Sequence, residues 1–146
     1  MPYNVLIVDD QKEISRLLRS ALETIEQGLV VREAPSGEEA LLEASRTNFE
    51  LLVADFRLPG ITGVELMRKI RMRRPNIKVI LISGISEPRT REEIAKSGAD
   101  AYFFKPVPMG DFLATVERLL GMEQTIVSSE PPKAQAPERK TLADVL

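Results

Sequence analysis

The sequence predicts an α/β fold in which one parallel sheet of five strands lies between two layers of helices. Two observations lead to this prediction: the chain contains five short apolar runs, and a longer amphipathic stretch follows each of them. Uninterrupted apolar runs are typical of parallel strands buried on both faces, and regular alternation of strand and helix predicts right-handed crossovers. The runs are residues 5–8, 29–31, 51–54, 79–82 and 101–104.

The first three helices are indicated by apolar spacing and by the residues at their starts. Between residues 14 and 25 the apolar side chains recur at i, i+3, i+4 and i+7, which predicts an amphipathic helix. Residues 36–39 and 62–65 each place a hydroxyl three residues before a glutamate. This is the capping-box pattern, and it predicts the starts of the second and third helices.

The last two helices complete the alternation. The fourth follows Pro88, and Thr90 with Glu93 forms a further capping-box pattern. Because this helix carries few apolar residues, we expect it to be the least firmly packed. The fifth helix carries the apolar positions of residues 112–120. The number and lengths of these elements favour a flavodoxin-like, doubly wound sheet of strand order 2-1-3-4-5.

Composition limits the chemistry that the chain can perform. Its 146 residues include no Cys and no His, which excludes disulfides, thiolate nucleophiles and imidazole chemistry within the chain. A net charge of −2 gives no electrostatic reason for direct nucleic-acid binding, and no apolar run reaches the ~20 residues of a membrane helix. The N-terminus lacks the features of a signal peptide, so the cytoplasm is the expected location.

The chain is expected to contain one domain and a tail. Residues 1–121 hold every predicted strand and helix, whereas residues 122–146 contain no aromatic residue and include a Pro-containing linker at 128–137. An amphipathic pattern begins at residues 142–146 and stops at once. We therefore expect residues 122–146 to be a linker or tail, and slightly favour the start of a missing output domain over a natural end.

Polar residues follow four of the five predicted strands. Asp9 and Asp10 follow the first, Asp55 the third, Ser83 the fourth and Lys105 the fifth. Each alone has an ordinary explanation as a helix cap, a turn residue or a solvated side chain. Together, three converging carboxylates would repel one another without a cation, and oxygen ligands suit Mg²⁺. A cation, an anion-binding hydroxyl and ammonium, and a carboxylate nucleophile indicate phosphoryl transfer to an aspartate.

These segments, in this order and at this spacing, resemble the receiver domain of two-component response regulators. The residues that carry the resemblance are 5–10, 55–63, 83–84 and 105–106, and the match runs from about residue 3 to 121. The resemblance implies that Asp55 accepts the phosphoryl group. It also implies that Asp10 and Asp55 ligate Mg²⁺ directly, together with the backbone carbonyl of Arg57, and that Asp9 holds the ion through water.

The resemblance assigns roles to four further residues. Ser83 and Lys105 would each contact a phosphoryl oxygen, and the Lys105–Pro106 peptide bond would be cis. Tyr102 lies at the switch position, three residues before the lysine. The resemblance implies that the Tyr102 ring moves inward as Ser83 is drawn to the phosphoryl group. The strand pattern alone favours a different interpretation, in which Tyr102 is a strand residue whose hydroxyl lies in water.

The same resemblance implies the partners. The phosphoryl group would come from a sensor histidine kinase or a phosphotransfer protein. A face formed by helix four, strand five and helix five would then control an output domain or a downstream protein. It also allows a homodimer that forms on phosphorylation. Asp100 and Arg118 could pair across such a dimer, but solvated surface charges are the favoured interpretation. The chain would catalyse its own phosphorylation and dephosphorylation rather than turn over a substrate.

Three other functions are alternatives to phosphoacceptance by Asp55. A haloacid-dehalogenase-type phosphatase needs a second acid two residues after the nucleophile, where this chain has Arg57. A nucleotide-binding domain needs a glycine-rich first turn, whereas residues 9–13 are mostly acidic. A receiver-like interaction module that works without phosphorylation remains the alternative, and the retention of every motif residue disfavours it.

Arg57 and Ile85 occupy variable positions, two residues after the phosphoacceptor and two after the hydroxyl. Our hypothesis is that these bulky side chains hinder in-line attack by water and prolong the life of the aspartyl phosphate. Arg57→Asn should then speed dephosphorylation, measured as the decay of the phosphorylated chain after the donor is removed. An unchanged decay rate would refute the hypothesis for Arg57.

Overall fold

Five parallel strands form one sheet with helices on both faces, and a two-stranded ribbon lies beside it. The computed structural model describes residues 2–26, 28–84 and 87–122. Of the expected tail at residues 122–146, only Met122 lies within the described residues. The strands are β1 (Tyr3–Val8), β2 (Leu29–Ala34), β3 (Leu51–Asp55), β4 (Arg57–Leu58), β5 (Ile61–Thr62), β6 (Lys78–Ser83) and β7 (Ala101–Phe104), and the helices are α1 (Lys12–Leu22), α2 (Gly37–Arg46), α3 (Gly63–Arg73), α4 (Pro88–Ala95) and α5 (Met109–Leu119).

The topology confirms the predicted fold class. The strand order in the sheet is β2-β1-β3-β6-β7, and every neighbouring pair is parallel. This is the predicted order 2-1-3-4-5, since β4 and β5 belong to the separate antiparallel ribbon, which the sequence did not predict. The strand order reverses between β1 and β3, so ligands are expected beyond the carboxyl ends of these central strands.

The strands are apolar throughout because alternate side chains enter two separate cores. On β1, Leu6 and Val8 pack into the core covered by α2, α3 and α4. Val5 and Ile7 point the other way, into the core covered by α1 and α5. All four side chains are buried. Burial on both faces is the physical reason for uninterrupted apolar runs.

Two of the predicted helix starts are capped by hydroxyls. At α3, the Thr62 hydroxyl accepts from the Glu65 N–H at 3.1 Å and the Glu65 carboxylate accepts from the Thr62 N–H at 3.0 Å. This confirms the capping box. At α2, the Ser36 hydroxyl accepts from the Glu39 N–H at 3.2 Å. Both caps satisfy N–H groups that have no partner within the helix.

The predicted capping box of the fourth helix is wrong. α4 begins at Pro88, its N-cap is Glu87, and Thr90 lies buried inside the helix. Proline suits the first helical position because its φ is already helical and it has no N–H to satisfy. α4 is the shortest described helix, and Ile94 is the one large apolar side chain that it buries.

The expectation of a solvated Asp100 is also wrong. Its carboxylate accepts from the Arg71 guanidinium at 2.9 Å and from the Val79 N–H at 2.8 Å. The same guanidinium donates to the Gly98 carbonyl at 2.8 Å. These bonds tie α3 to the amino ends of β6 and β7, away from the carboxyl edge of the sheet.

None of the helices described is both long and apolar enough to cross a membrane.

We predict that Gly63→Ala destabilises the fold. A Cβ at this position would lie 2.4 Å from the Asp55 carbonyl oxygen, a contact that only a backbone shift can relieve. The free energy of unfolding should fall by about 2 kcal/mol, measured by urea denaturation. The matched control is Gly110→Ala in α5, where a Cβ meets nothing within 4 Å, so its stability should be unchanged or slightly higher. Equal losses for the two variants would contradict this explanation.

Candidate functional site

Three carboxylates meet at the carboxyl edge of the sheet. Asp9 and Asp10 follow β1, and Asp55 ends the neighbouring β3. One ligand oxygen from each lies within 4.8 Å of the others. Asp9 and Asp55 are buried and Asp10 is exposed, so the cluster opens to solvent on one side. The sequence-based prediction that these acids converge is therefore correct.

The Asp9 carboxylate has a buried oxygen that a bound cation would satisfy. Its Oδ1 accepts from the Gln11 N–H at 2.8 Å, but its Oδ2 is buried without a hydrogen-bond partner. The nearest positive group, the Lys105 ammonium, lies 3.6 Å from that oxygen. A buried carboxylate oxygen without a hydrogen bond is costly, and it favours a cation beside it. Oxygen donors of this kind suit Mg²⁺ or another hard ion.

Lys105 reaches into the cluster from the loop after β7. Its Nζ donates to Asp55 Oδ2 at 2.7 Å and to Gln11 Oε1 at 2.9 Å. Burial acts to lower the pKa of Lys105, but the hydrogen bond and charge of Asp55, followed by the charge of Asp9, outweigh it and raise the pKa. The side chain is therefore a fixed positive charge at neutral pH.

Local backbone structure holds Asp55 in place. The other carboxylate oxygen, Oδ1, accepts from the Arg57 N–H at 3.1 Å. Next along the chain, Phe56 N–H donates to the Ile82 carbonyl at 2.7 Å, and Gly63 N–H donates to the Phe56 carbonyl at 2.7 Å. Gly63 is needed here because its Cα approaches the Asp55 carbonyl too closely for a side chain. The Arg57 side chain itself is exposed.

A backbone hydrogen bond joins Ser83 to Lys105. Ser83 ends β6 and is 1% exposed, and its carbonyl accepts from the Lys105 N–H at 2.8 Å. The Lys105–Pro106 bond is cis, as the resemblance implied. Because β6 lies next to β3 in the sheet, Ser83 ends at the same edge as Asp55.

Residues 5–117 match the response regulator receiver domain. The chain belongs to this family. Its receiver domain carries the acids, the hydroxyl and the lysine at the carboxyl edge of the sheet.

Two curated relatives are transcriptional regulatory proteins. ResD of Bacillus subtilis is 32% identical over 116 residues, which are 80% of this chain and 47% of ResD. SrrA of Staphylococcus aureus is 33% identical over 144 residues, which are 97% of this chain and 58% of SrrA. The chain thus spans about half the length of these relatives. Among solved structures, the BeF₃-activated receiver domain of DrrB, from Thermotoga maritima, has a TM-score of 0.75 at 31% identity and covers 83% of this chain and 99% of that one.

The Tyr102 side chain is buried in the receiver domain. The residue is 2% exposed, and its ring packs edge-on against Phe104 with centroids 5.6 Å apart. The expectation of a hydroxyl in water, drawn from the strand pattern, is wrong because α4 covers this face of β7. The Arg91 guanidinium of α4 lies 4.8 Å from the Phe104 ring centroid.

Gln11 is the site residue that the sequence did not reveal. It follows the acid pair directly, yet nothing in its identity indicated that its side chain turns to Lys105, 94 residues away. The one available indication was its position between the acids and α1. Ile85, the second residue in the hypothesis on hydrolysis, lies outside the described residues.

We predict that Asp9→Asn is more stable than the unmodified chain at neutral pH in EDTA. Burial, more than any other cause, raises the pKa of Asp9 above its ordinary value of 3.8; repulsion from Asp55 adds to it, and the Gln11 N–H opposes it. When an acid has a higher pKa in the folded chain than in the unfolded chain, the folded chain loses stability as the pH rises from the lower pKa through the higher one. Asparagine removes the charge and keeps the Oδ1 acceptor.

The measurement is urea denaturation across pH. The advantage of Asp9→Asn should shrink as the pH falls towards 3.8, where the unfolded Asp9 also takes up a proton. Glu26→Gln, at an exposed turn residue, is the control. A variant less stable than the unmodified chain at neutral pH would contradict the sign.

Proposed function

We propose that this chain is a response regulator receiver that accepts a phosphoryl group on Asp55 from a histidine kinase or phosphotransfer protein, in a Mg²⁺-dependent reaction. The observation that carries the proposal is the Lys105 ammonium, held 2.7 Å from the Asp55 carboxylate beside an acid cluster that is buried at Asp9 and Asp55 and open to solvent at Asp10. We take residues 1–121 as the unit that performs this reaction and place the reaction in the cytoplasm.

The acid cluster is the proposed cation site. Asp10 and Asp55 would bind the ion directly with the Arg57 carbonyl, and Asp9 would hold it through water. The buried, unpartnered Oδ2 of Asp9 supports this assignment. When bound, Mg²⁺ supplies positive charge that screens the carboxylates and the oxygens of the phosphoryl donor.

The chain's own residues account for the transfer. An Asp55 carboxylate oxygen forms a bond to phosphorus while the phosphorus–nitrogen bond to the donor histidine breaks, and the imidazole leaves with that electron pair. Lys105 places its positive charge beside the oxygens on which negative charge develops. The Ser83 hydroxyl donates a hydrogen bond to another of these oxygens.

The output of this reaction is a change in the face formed by α4, β7 and α5. As Ser83 is drawn towards the phosphoryl group, the Tyr102 ring, which is already buried, is held in its inward position. Phe104 links the Tyr102 ring to Arg91 of α4, and Ser83 is the register partner of Phe104. A shift at Ser83 would therefore reach α4 through Phe104, by its strand pairing with Ser83 and its ring contact with Arg91.

We further propose that this face controls transcription through an attached output domain, a downstream protein or a homodimer. ResD and SrrA are transcriptional regulatory proteins about twice as long as the part of them that this chain spans. The expectation of no direct nucleic-acid binding was made for this chain, whereas these relatives point to a DNA-binding output.

We expect one phosphoryl adduct when the chain is incubated with Mg²⁺ and acetyl phosphate. Intact-mass analysis should show it on the unmodified chain, and it should be absent from Asp55→Asn and from an EDTA control. Lys105→Met should slow its formation by roughly tenfold or more because the charge beside the phosphoryl oxygens is lost.

The alternative is an interaction module that works without phosphorylation. An adduct that persists on Asp55→Asn would contradict the assignment of Asp55. A chain that forms no adduct and also fails to bind Mg²⁺ or beryllofluoride would support the interaction module instead.

A further inference from the structure

Gln11 is the N-cap residue of α1, but its side chain makes no capping hydrogen bond. Its Oε1 instead accepts from the Lys105 ammonium at 2.9 Å. The side chain is therefore committed to the lysine rather than to the helix.

The backbone of Gln11 is fixed on both sides. Its N–H donates to Asp9 Oδ1 at 2.8 Å, and its carbonyl accepts from the N–H groups of Ile14 and Ser15 at 3.1 Å each. The carboxamide thus extends from an anchored point towards a lysine on a flexible four-carbon stem. An anchored acceptor restricts where that ammonium can lie.

We propose that Gln11 is a positioning residue for Lys105, an inference that rests on the proposed function. An ammonium has three N–H donors, and those of Lys105 face Asp55 Oδ2, Gln11 Oε1 and, at 3.6 Å, Asp9 Oδ2. Phosphorylation converts Asp55 from a carboxylate into an acyl phosphate, and a bound cation would engage Asp9 through water. Gln11 is the neutral partner, outside the acid cluster.

Gln11 therefore keeps its hold on the ammonium while the other two partners change. It holds the lysine over the edge of the sheet before the phosphoryl group arrives, so that the N–H now bonded to Asp55 can donate to a phosphoryl oxygen. A preorganised donor of this kind lowers the barrier because it needs no rearrangement during the reaction.

The test uses Gln11→Met, which keeps the length of the side chain and removes its acceptor. With Mg²⁺ and acetyl phosphate, the rate of Asp55 phosphorylation should fall about five- to tenfold, the effect of one lost hydrogen bond to a charged group at a partly exposed site. Gln11→Asn, which keeps the amide but is one methylene shorter, should show the same loss.

Three further measurements separate positioning from a structural role. The urea midpoint should be unchanged, because the Gln11 side chain does not cap α1. The Mg²⁺ affinity, measured by calorimetry, should stay within about twofold, because Gln11 is not one of the clustered acids. In a Lys105→Met background, followed over longer incubations, Gln11→Met should change the rate no further.

Each outcome decides the proposal. An unchanged rate for Gln11→Met on a chain that phosphorylates normally would overturn the positioning role and leave the proposed function intact. The same rate loss in the Lys105→Met background would also overturn it, because Gln11 would then act through another group. No adduct on the unmodified chain, together with no binding of Mg²⁺ or beryllofluoride, would overturn the proposed function, and this inference with it.

Discussion

Repulsion among the three carboxylates at the carboxyl edge of the sheet is the constraint on which the rest of the structure depends. Two of them are buried, where like charges interact strongly, and Lys105 is the positive charge brought among them. The fold holds this arrangement through backbone groups: Asp9 is fixed by the Gln11 N–H and Asp55 by the Arg57 N–H. A cation bound among these carboxylates would offset their repulsion and so stabilise the site.

We propose that the sheet transmits a change at this site, such as phosphorylation, away from its carboxyl edge. Ser83 and Phe104 are register partners on neighbouring strands, and the Phe104 ring contacts both Tyr102 and the Arg91 guanidinium. α4 is the shortest of the described helices and buries a single large apolar side chain. The central strands of the sheet, by contrast, are buried on both faces.

The sequence was sufficient for the fold and for the clustered acids, but not for contacts set by side-chain direction. Apolar runs predicted every strand of the five-stranded sheet, because strands that are buried on both faces are apolar at every position. Parallel strands bring their carboxyl ends together, so the convergence of Asp9, Asp55 and Lys105 followed from chain position alone. Whether Gln11 points to solvent or to a lysine depends on rotamers that no periodicity records. The pairing of Asp100 with Arg71 was missed for the same reason.

The most direct test of the account is Mg²⁺ binding measured by calorimetry on the unmodified chain, on Asp10→Asn and on Glu13→Gln. Asp10 belongs to the acid cluster, whereas Glu13 is an exposed acid on the first turn of α1. We predict one Mg²⁺ site that Asp10→Asn weakens by roughly tenfold or more and that Glu13→Gln leaves unchanged. No binding to the unmodified chain, or equal weakening by the two variants, would contradict the claim that the clustered carboxylates form a cation site.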